Sequence, residues 1–403
     1  MTSFDSSPTL TAWRALLAIA VVFVMLATTG WTAVRHQHSA APREIALASW
    51  AKDRIAGHAL PDVGAPASRL AHFFTALTAG QQVALADKYP LVVGNLNGAP
   101  VELRYRANRH ALAQAETAEE QRTQDTRLSP DGRHQAAQRL ARFRSLLAGD
   151  RQILTFDPSG RGRAAEVFGD LDRADRVSVV VPGVDTNLLT LERTGVKENA
   201  APVGMARSLY EAERSARPAS HTAVIAWADY TTPVGIGMDA VLGGLASEGA
   251  VRLNALLEAL PGTSDVSLFC HSYGSVLCGV AARDLPSRVS DIAVAGSPGM
   301  RADSAGALHT RARVWAMRDG DDWIAEVPNM EVGGLGHGAD PVDPSFGARI
   351  VSASGAIGHS GYFEPGTESL DNFAAIGVGA YDSVTCASSD LACHREISGE
   401  PET

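Results

Sequence analysis

Apolar residues along this chain fall into three textures. In the first, "ALLAIAVVFVMLATTGWTAV" runs from Ala15 to Val34 without a charge, between Arg14 and Arg35. As a helix it is long enough for about 30 Å of hydrocarbon, and a helix buried in a globular core would normally keep a polar face. In the second, from residue 37 to about 150, apolar positions recur at helical spacing and few runs look like strands. "SRLAHFFTALTAGQQVALADKYPLVVGNLNGAP" predicts a helix, a cap at Thr78, a second helix and a turn at Asn97-Gly98. "ELRYRANRHALAQAETAEEQ" and "GRHQAAQRLARFRSLLAG" predict two more helices, joined by the loop "TQDTRLSPDG".

The third texture starts near residue 151. Short apolar runs ("RVSVVVPG", "HTAVIAWADY", "DVSLFCHS", "VSDIAVAGSPG", "RARVWAMRDG") alternate with helical patterns at 200–214, 243–260, 274–283 and 368–380. Runs that are apolar on both faces belong to strands covered on two sides. Their alternation with helices predicts an α/β domain around a mostly parallel, doubly wound sheet. The expected organisation is an N-terminal signal or anchor (1–36), a helical region acting as packing layer or cap (37–150), the α/β domain (151–382) and a polar tail (383–403).

Two readings of the N-terminal hydrophobic segment compete. One is a cleaved signal peptide with its apolar stretch at Ala15–Ala27, cut near Thr28-Thr29-Gly30; the other is a retained anchor. No convincing A-x-A cleavage site is present and Pro42 spoils a cut after Ala41, which favours the anchor. Either way the folded part is expected outside the cytoplasm, held at the cell membrane by a single transmembrane helix or secreted. In such a setting Cys386 and Cys393, in "TCASSDLACHRE", are expected to close a small disulfide loop. Cys270 and Cys278 lie among apolar residues and are expected as small core side chains rather than a redox pair.

Composition mainly excludes. The formal net charge of −10 argues against a nucleic-acid partner, which needs clustered Lys and Arg. No Cys/His cluster has zinc spacing, and neither a Walker A loop nor a dinucleotide fingerprint occurs. No metal and no cofactor are expected.

The chemistry concentrates in "SLFCHSYGSVLCG", residues 267 to 279, where an apolar strand stops at a histidine and a serine and a helical pattern begins. A nucleophilic serine has to project its Oγ from a sharp strand-to-helix turn with small neighbours, the G-x-S-x-G elbow. Here the pentapeptide is Cys270-His271-Ser272-Tyr273-Gly274, with cysteine in place of the first glycine. The alternative is a plain turn with a serine N-cap. Placement at the carboxyl end of a strand, where α/β sheets collect their chemistry, favours the elbow.

A serine needs a base, and the base an orienting acid, in chain order Ser, acid, His. The downstream histidines are His309, His337, His359 and His394. His359, in the loop "AIGHSGYFEPGTESLDN", is the expected base, with His337 in "GGLGHGADP" as the competitor. The acid should follow the strand "RARVWAM", which leaves Asp319, Asp321 and Asp322; Asp322 is chosen because Trp323-Ile324 would pin its loop, and Asp319 is the reserve. For the oxyanion hole the expected donors are the backbone N–H groups of Tyr273 and Val184, since Pro182 has none and Gly183 permits the tight turn.

With these residues in view, the chain resembles the actinobacterial α/β-hydrolase family once catalogued as a domain of unknown function, the DUF1023 group. The resemblance spans roughly residues 70 to 380. It is carried by "FFTALTAGQQVALADKYPLVVGNLNGAPVELRYRANR", "VVVPGVDT", "CHSYGS", "GSPGM", "GGLGHGADP" and "GHSGYFEPGTESLDN". It implies an α/β-hydrolase fold behind a helical N-terminal region, with a Ser-Asp-His triad that falls on Ser272, the Asp322 loop and His359. The leading expectation is therefore a serine hydrolase, a carboxylic-ester hydrolase of esterase or lipase type, acting on a small-molecule or lipid ester through an acyl-enzyme. The alternatives are an acyltransferase on the same triad and a non-catalytic surface module of the same fold.

Overall fold

The structure, a computed structural model, describes residues 41–390 except 194 and 196, together with Cys393. By its contacts the chain divides into Met1–Ala41 and Pro42–Thr403, and the elements named below lie in the second unit.

The helical region forms as its spacing predicts, with α1 (Pro42–Trp50), α2 (Ala67–Thr75), α3 (Ala79–Lys88), α4 (Val101–Gln124) and α5 (Pro130–Leu147). Thr78 and Gln81 close a capping box at the start of α3, each side chain accepting from the other's backbone N–H. Gly98 turns at φ 100°, and a Cβ there would stand 2.3 Å from the Ala67 carbonyl oxygen, so the Asn97-Gly98 turn needs its glycine. Trp50, Phe74, Leu85 and Val93 give this region a core of its own. It is tied to the sheet by Asn108, whose amide donates to the carbonyls of Gly94 and Ile153 at 2.9 Å each.

The sheet has eight strands: β1 (Gln152–Asp157), β2 (Arg163–Gly169), β3 (Arg176–Val181), β4 (Thr222–Ala228), β5 (Asp265–His271), β6 (Val289–Ala295), β7 (Arg313–Met317) and β8 (Arg349–Ile350). In space the order is β8-β7-β6-β5-β3-β4-β2-β1. From β8 to β4 neighbours run parallel; β2 lies antiparallel to β4, and β1 antiparallel to β2. This corrects the expected mostly parallel, doubly wound sheet: the fold is an α/β-hydrolase fold with a mixed sheet. The antiparallel pair has no counterpart among the expected strand runs, and in "RAAEVFG" Arg163 and Glu166 interrupt the apolar pattern. Each has an ion-pair partner, Asp157 at 2.5 Å and Arg151 at 2.5 Å.

Alternate strand residues face two helical layers. Val177, Val179, Val181, Leu268 and Val294 pack against α7 (Gly244–Ala259) and α8 (Tyr273–Ala281). Val180, Phe269, Ala293 and Trp315 pack with α6 (Pro202–Ala216), α9 (Glu368–Gly377), the middle of α4 and the end of α5. Burial on both faces is what makes these strands continuous apolar runs.

Among the described residues no helix is long and apolar enough to cross a membrane. The longest, α4 with 24 residues, carries charged side chains along its length and belongs to the globular unit. Against the expected transmembrane helix, membrane partnership and single-pass cell-membrane location, no membrane-spanning helix is found among the described residues. Ala15–Val34 itself lies outside the described residues. In the tail, Cys386 and Cys393 are joined by a disulfide.

Candidate active site

The site forms where β5 ends. His271 is the last strand residue, Tyr273 the first of α8, and Ser272 between them adopts φ 55°, ψ −129°. Positive φ in a side-chain-bearing residue is strained and persists only when its surroundings over-determine it. Here Ser272 N–H donates to Ala295 O at 3.0 Å, while Ser275 donates to Ser272 O from both its N–H (2.9 Å) and its hydroxyl (2.6 Å). Gly274 lets the helix start against β3, since a Cβ there would lie 2.2 Å from the Val181 carbonyl oxygen.

The cysteine in place of the first elbow glycine has a partner. Cys270 on β5 and Cys278 on α8 form a disulfide that bridges the strand and the helix on either side of Ser272. This corrects the expectation of two separate core thiols. Eight residues apart in sequence, they meet because the chain reverses at the elbow and the helix returns over its own strand.

The side chains of Ser272, His359 and Asp322 stand in one hydrogen-bonded row. Ser272 Oγ is 2.8 Å from His359 Nε2; His359 Nδ1 is 2.8 Å from Asp322 Oδ1 and 3.1 Å from Oδ2. A carboxylate at Nδ1 selects the Nδ1–H tautomer and leaves Nε2 to accept from the serine. Asp322 follows β7 and is buried; it caps a short 3-10 turn at Trp323–Glu326 by accepting from Ile324 N–H at 2.9 Å. Tyr362 donates its hydroxyl to Asp322 Oδ2 at 2.6 Å. Burial alone would raise the Asp322 carboxyl, but hydrogen bonds from His359, Tyr362 and Ile324 N–H outweigh it and hold the group below its ordinary range.

The other candidates are elsewhere. Asp319 braces the base loop: its carboxylate accepts from Gly358 N–H at 2.8 Å and its own N–H donates to Tyr362 Oη at 3.0 Å. Asp321 and His309 are exposed, and His394 lies outside the described residues. His337 donates Nε2–H to Ala240 O at 2.6 Å and meets the edge of the Tyr273 ring.

Sequence reasoning missed His271 and Tyr362. His271 is buried, and its Nε2–H donates to the His359 carbonyl oxygen at 2.6 Å. Burial, helped by the nearby His359, pushes its imidazole down to about 4, so it is neutral at ordinary pH. Nothing in the sequence marks either residue beyond adjacency to the motifs.

Of the two expected oxyanion donors, Tyr273 begins α8 with an N–H the helix does not use. Val184 follows Gly183 in the loop after β3. That loop presses on the nucleophile: a Cβ at Gly183 would stand 2.6 Å from Ser272 Cβ and 2.9 Å from its Oγ. Val184, Ser272 and Tyr273 line one cavity of about 480 Å³. Among the described residues no group of His, Cys, Asp and Glu is placed to hold a metal ion.

A family model described as "Alpha/beta hydrolase" matches residues 157–332. An uncharacterized protein of Mycobacterium tuberculosis is 26% identical over 384 residues, covering 81% of this chain and 57% of its own length. An uncharacterized protein of Mycobacterium bovis is 35% identical over 143 residues, 34% of this chain and 52% of its own. The chain thus spans just over half the length of these curated relatives. Among solved structures, a dienelactone hydrolase from Anabaena variabilis matches 56% of this chain and 93% of its own at 15% identity, TM-score 0.35. A 2,6-dihydroxy-pseudo-oxynicotine hydrolase matches 77% and 96% at 12% identity, TM-score 0.34.

Proposed function

From a chain that carries an α/β-hydrolase domain, shared with several uncharacterized mycobacterial proteins, we propose a serine hydrolase that cleaves carboxylic esters through an acyl-enzyme. The observation that carries the reading is the row Ser272–His359–Asp322 at a strained elbow. Ser272 Oγ attacks the ester carbonyl as His359 Nε2 takes its proton. Asp322 keeps the imidazole in the right tautomer and stabilises the imidazolium. The N–H groups of Tyr273 and Val184 receive the negative charge on the carbonyl oxygen, where each prearranged donor is worth about 10²–10³ in rate. His359 then hands the proton to the departing alcohol, and water, activated by the same imidazole, releases the acid.

Tyr362 and His271 act as positioning residues, one holding the carboxylate and the other the backbone of the base. The test is labelling of the folded protein with a fluorophosphonate, together with p-nitrophenyl acetate turnover. Label on Ser272, abolished with turnover in Ser272→Ala, is the expected result. A folded wild-type protein that neither labels at Ser272 nor turns over any ester would refute the reading.

A further inference from the structure

Arg104, in the stretch "VELRYRANR" of α4, takes no part in the site at Ser272. Its side chain is buried, 2% exposed, with Nε donating to the Gly94 carbonyl oxygen at 3.3 Å. Nη2 is buried as well and has no hydrogen-bond partner.

This is one of four guanidiniums gathered around two carboxylates. β1 ends at Asp157, β2 starts at Arg163 directly across from it, and Ala164 pairs with Ala228, which brings Asp229 to the same end of the sheet. Asp157 accepts from Ser159 N–H at 3.0 Å and from Arg163 Nη2 at 2.5 Å. Arg163 Nε, 3.4 Å from Asp229 Oδ1, makes no hydrogen bond. Arg252 of α7 donates from Nε to the Asp229 carbonyl oxygen and from Nη2 to Asp229 Oδ1, both at 2.7 Å. Arg43, near the start of α1, lies within the fields of Asp157, Asp229, Arg163 and Arg252, yet bonds to neither carboxylate, and its Nε is buried without a partner. Asp229 is also the carboxylate that acts on Arg104.

Both carboxylates are already engaged, Asp157 by Arg163 and Asp229 by Arg252, so the charges of Arg43 and Arg104 are left over. A guanidinium cannot relieve this by losing its proton. Burial brings Arg104 down only to about 10, which leaves it charged at neutral pH. An unpaired charge removed from water is among the most destabilising features a fold can carry, because nothing replaces its hydration. In a chain of net charge −10, two uncompensated positive charges at one joint call for an anion. The cluster opens to solvent on one side, where the side chains of Arg163 and Arg252 are 25% and 32% exposed.

We propose that this cluster binds an oxyanion carrying two negative charges, of the phosphate or sulfate class, with Arg43 and Arg104 as its main holders. Planar guanidinium forks match the oxygens of such a group two at a time. Arg43 and Arg104 come from the helical region, Arg163 and Arg252 from the sheet and its covering layer, so one bound anion clamps the two parts together. The site is separate from the hydrolase centre. β4 and β2 lie two and three strands from β5, about 10 and 14 Å at the usual strand spacing.

The experiment is calorimetric titration of the full chain at about pH 8, where a phosphate group carries close to two negative charges. Inorganic phosphate, sulfate and acetate are compared at ionic strength matched with chloride. Saturable binding of one phosphate per chain, with sulfate comparable and acetate at least roughly tenfold weaker, is the expected result, since acetate offers half the charge. Arg43→Gln and Arg104→Gln should each weaken phosphate roughly tenfold or more, as for the loss of a hydrogen bond between charged groups. Arg106→Gln removes an exposed guanidinium already paired with Asp87 at 3.0 Å and should leave the affinity unchanged. Wild-type Tm should climb by about 2 °C for each tenfold rise in phosphate above Kd, and Arg43→Gln should not follow at the same concentrations.

Glycerol 3-phosphate distinguishes the source of the anion. Binding tighter than inorganic phosphate assigns the site to a phosphomonoester, and weaker binding assigns it to the free ion. Arg43 is only half-buried, so its variant carries the test even where Arg104→Gln does not fold. Absence of saturable binding at millimolar phosphate, or equal affinity in wild type and Arg43→Gln, overturns the proposal. Loss of binding in Ser272→Ala places the anion at the hydrolase centre instead and overturns it too.

Discussion

Glu213 offers a quantitative test of how the sheet and its helices are packed. It lies on α6, fully buried, and both Ser178 Oγ on β3 and Thr222 Oγ1 on β4 donate to its carboxylate. On the other side α9 closes over it, so tightly that a Cβ at Gly377 would stand 2.2 Å from Glu213 Oε1. Burial pushes the carboxyl up to about 7 from 4.5; the two hydroxyls and Arg176 pull the other way and offset it only partly. A group whose folded pKa is raised contributes stability that is fully present below its unfolded pKa and is lost as pH climbs through the folded one. At about 1.4 kcal/mol per pH unit, a change from 4.5 to about 7 corresponds to about 3 kcal/mol. Most of it, roughly 2.5 kcal/mol, disappears between about pH 5 and about pH 8. Glu213→Gln keeps the shape, cannot ionise, and can still donate to one hydroxyl. Urea unfolding at the two pH values should therefore find the variant near wild type at the lower and about 2.5 kcal/mol more stable at the higher. Parallel pH dependences of wild type and variant would refute the claim that this carboxyl is the buried, titrating group.

The remaining predictions concern the site. His359→Ala should lose nearly as much esterase activity as Ser272→Ala, and the double variant should be scarcely worse than either, because the members of such a row act as a unit; additive losses would count against it. Gly183→Ala places its Cβ 2.6 Å from Ser272 Cβ, and kcat/KM should fall by about 10²-fold, as for a misplaced reacting atom, with far-UV circular dichroism unchanged. Tyr362→Phe removes a donor from Asp322 that helps to lower its pKa. It should reduce kcat by roughly tenfold with little change in KM and move the acidic limb of the pH–rate profile upward, since a hydrogen bond to a charged group is worth about 1.5–3 kcal/mol. The Cys270–Cys278 bond should appear as a cross-linked peptide around Ser272 in protein prepared without reductant. Replacing both cysteines by serine should cost about 2.5 kcal/mol for a loop of this length, measured by urea unfolding.

Much of the architecture is written locally. The helices of the first half, the Thr78 capping box and the Gly98 turn follow from periodicity and turn chemistry that involve neighbours within a few residues. The parallel strands announce themselves as apolar runs because both their faces are covered, and the serine corner is visible because elbow, strand and helix are contiguous. Non-local pairings left no such trace. β2 carries Arg163 and Glu166, whose charges are paired with Asp157 on β1 and with Arg151 just before it, pairings that no local pattern shows. Nothing in the chain between Cys270 and Cys278 distinguishes two buried thiols from a bridge until the helix folds back over its strand. Sequence order reduced the acid to three aspartates after β7 and the base to loop histidines, and there its resolution ended. Asp319 and Asp322 differ by one helical turn of chain, yet one carboxylate braces the backbone of the base loop and the other meets the imidazole. That division of roles depends on where loops from β5, β7 and the chain before α9 converge at the carboxyl edge of the sheet. Convergence of segments 37 and 87 residues apart is a property of the packed sheet: each loop's position is set by the strand it leaves and by the neighbours that strand pairs with, so no local pattern can encode it.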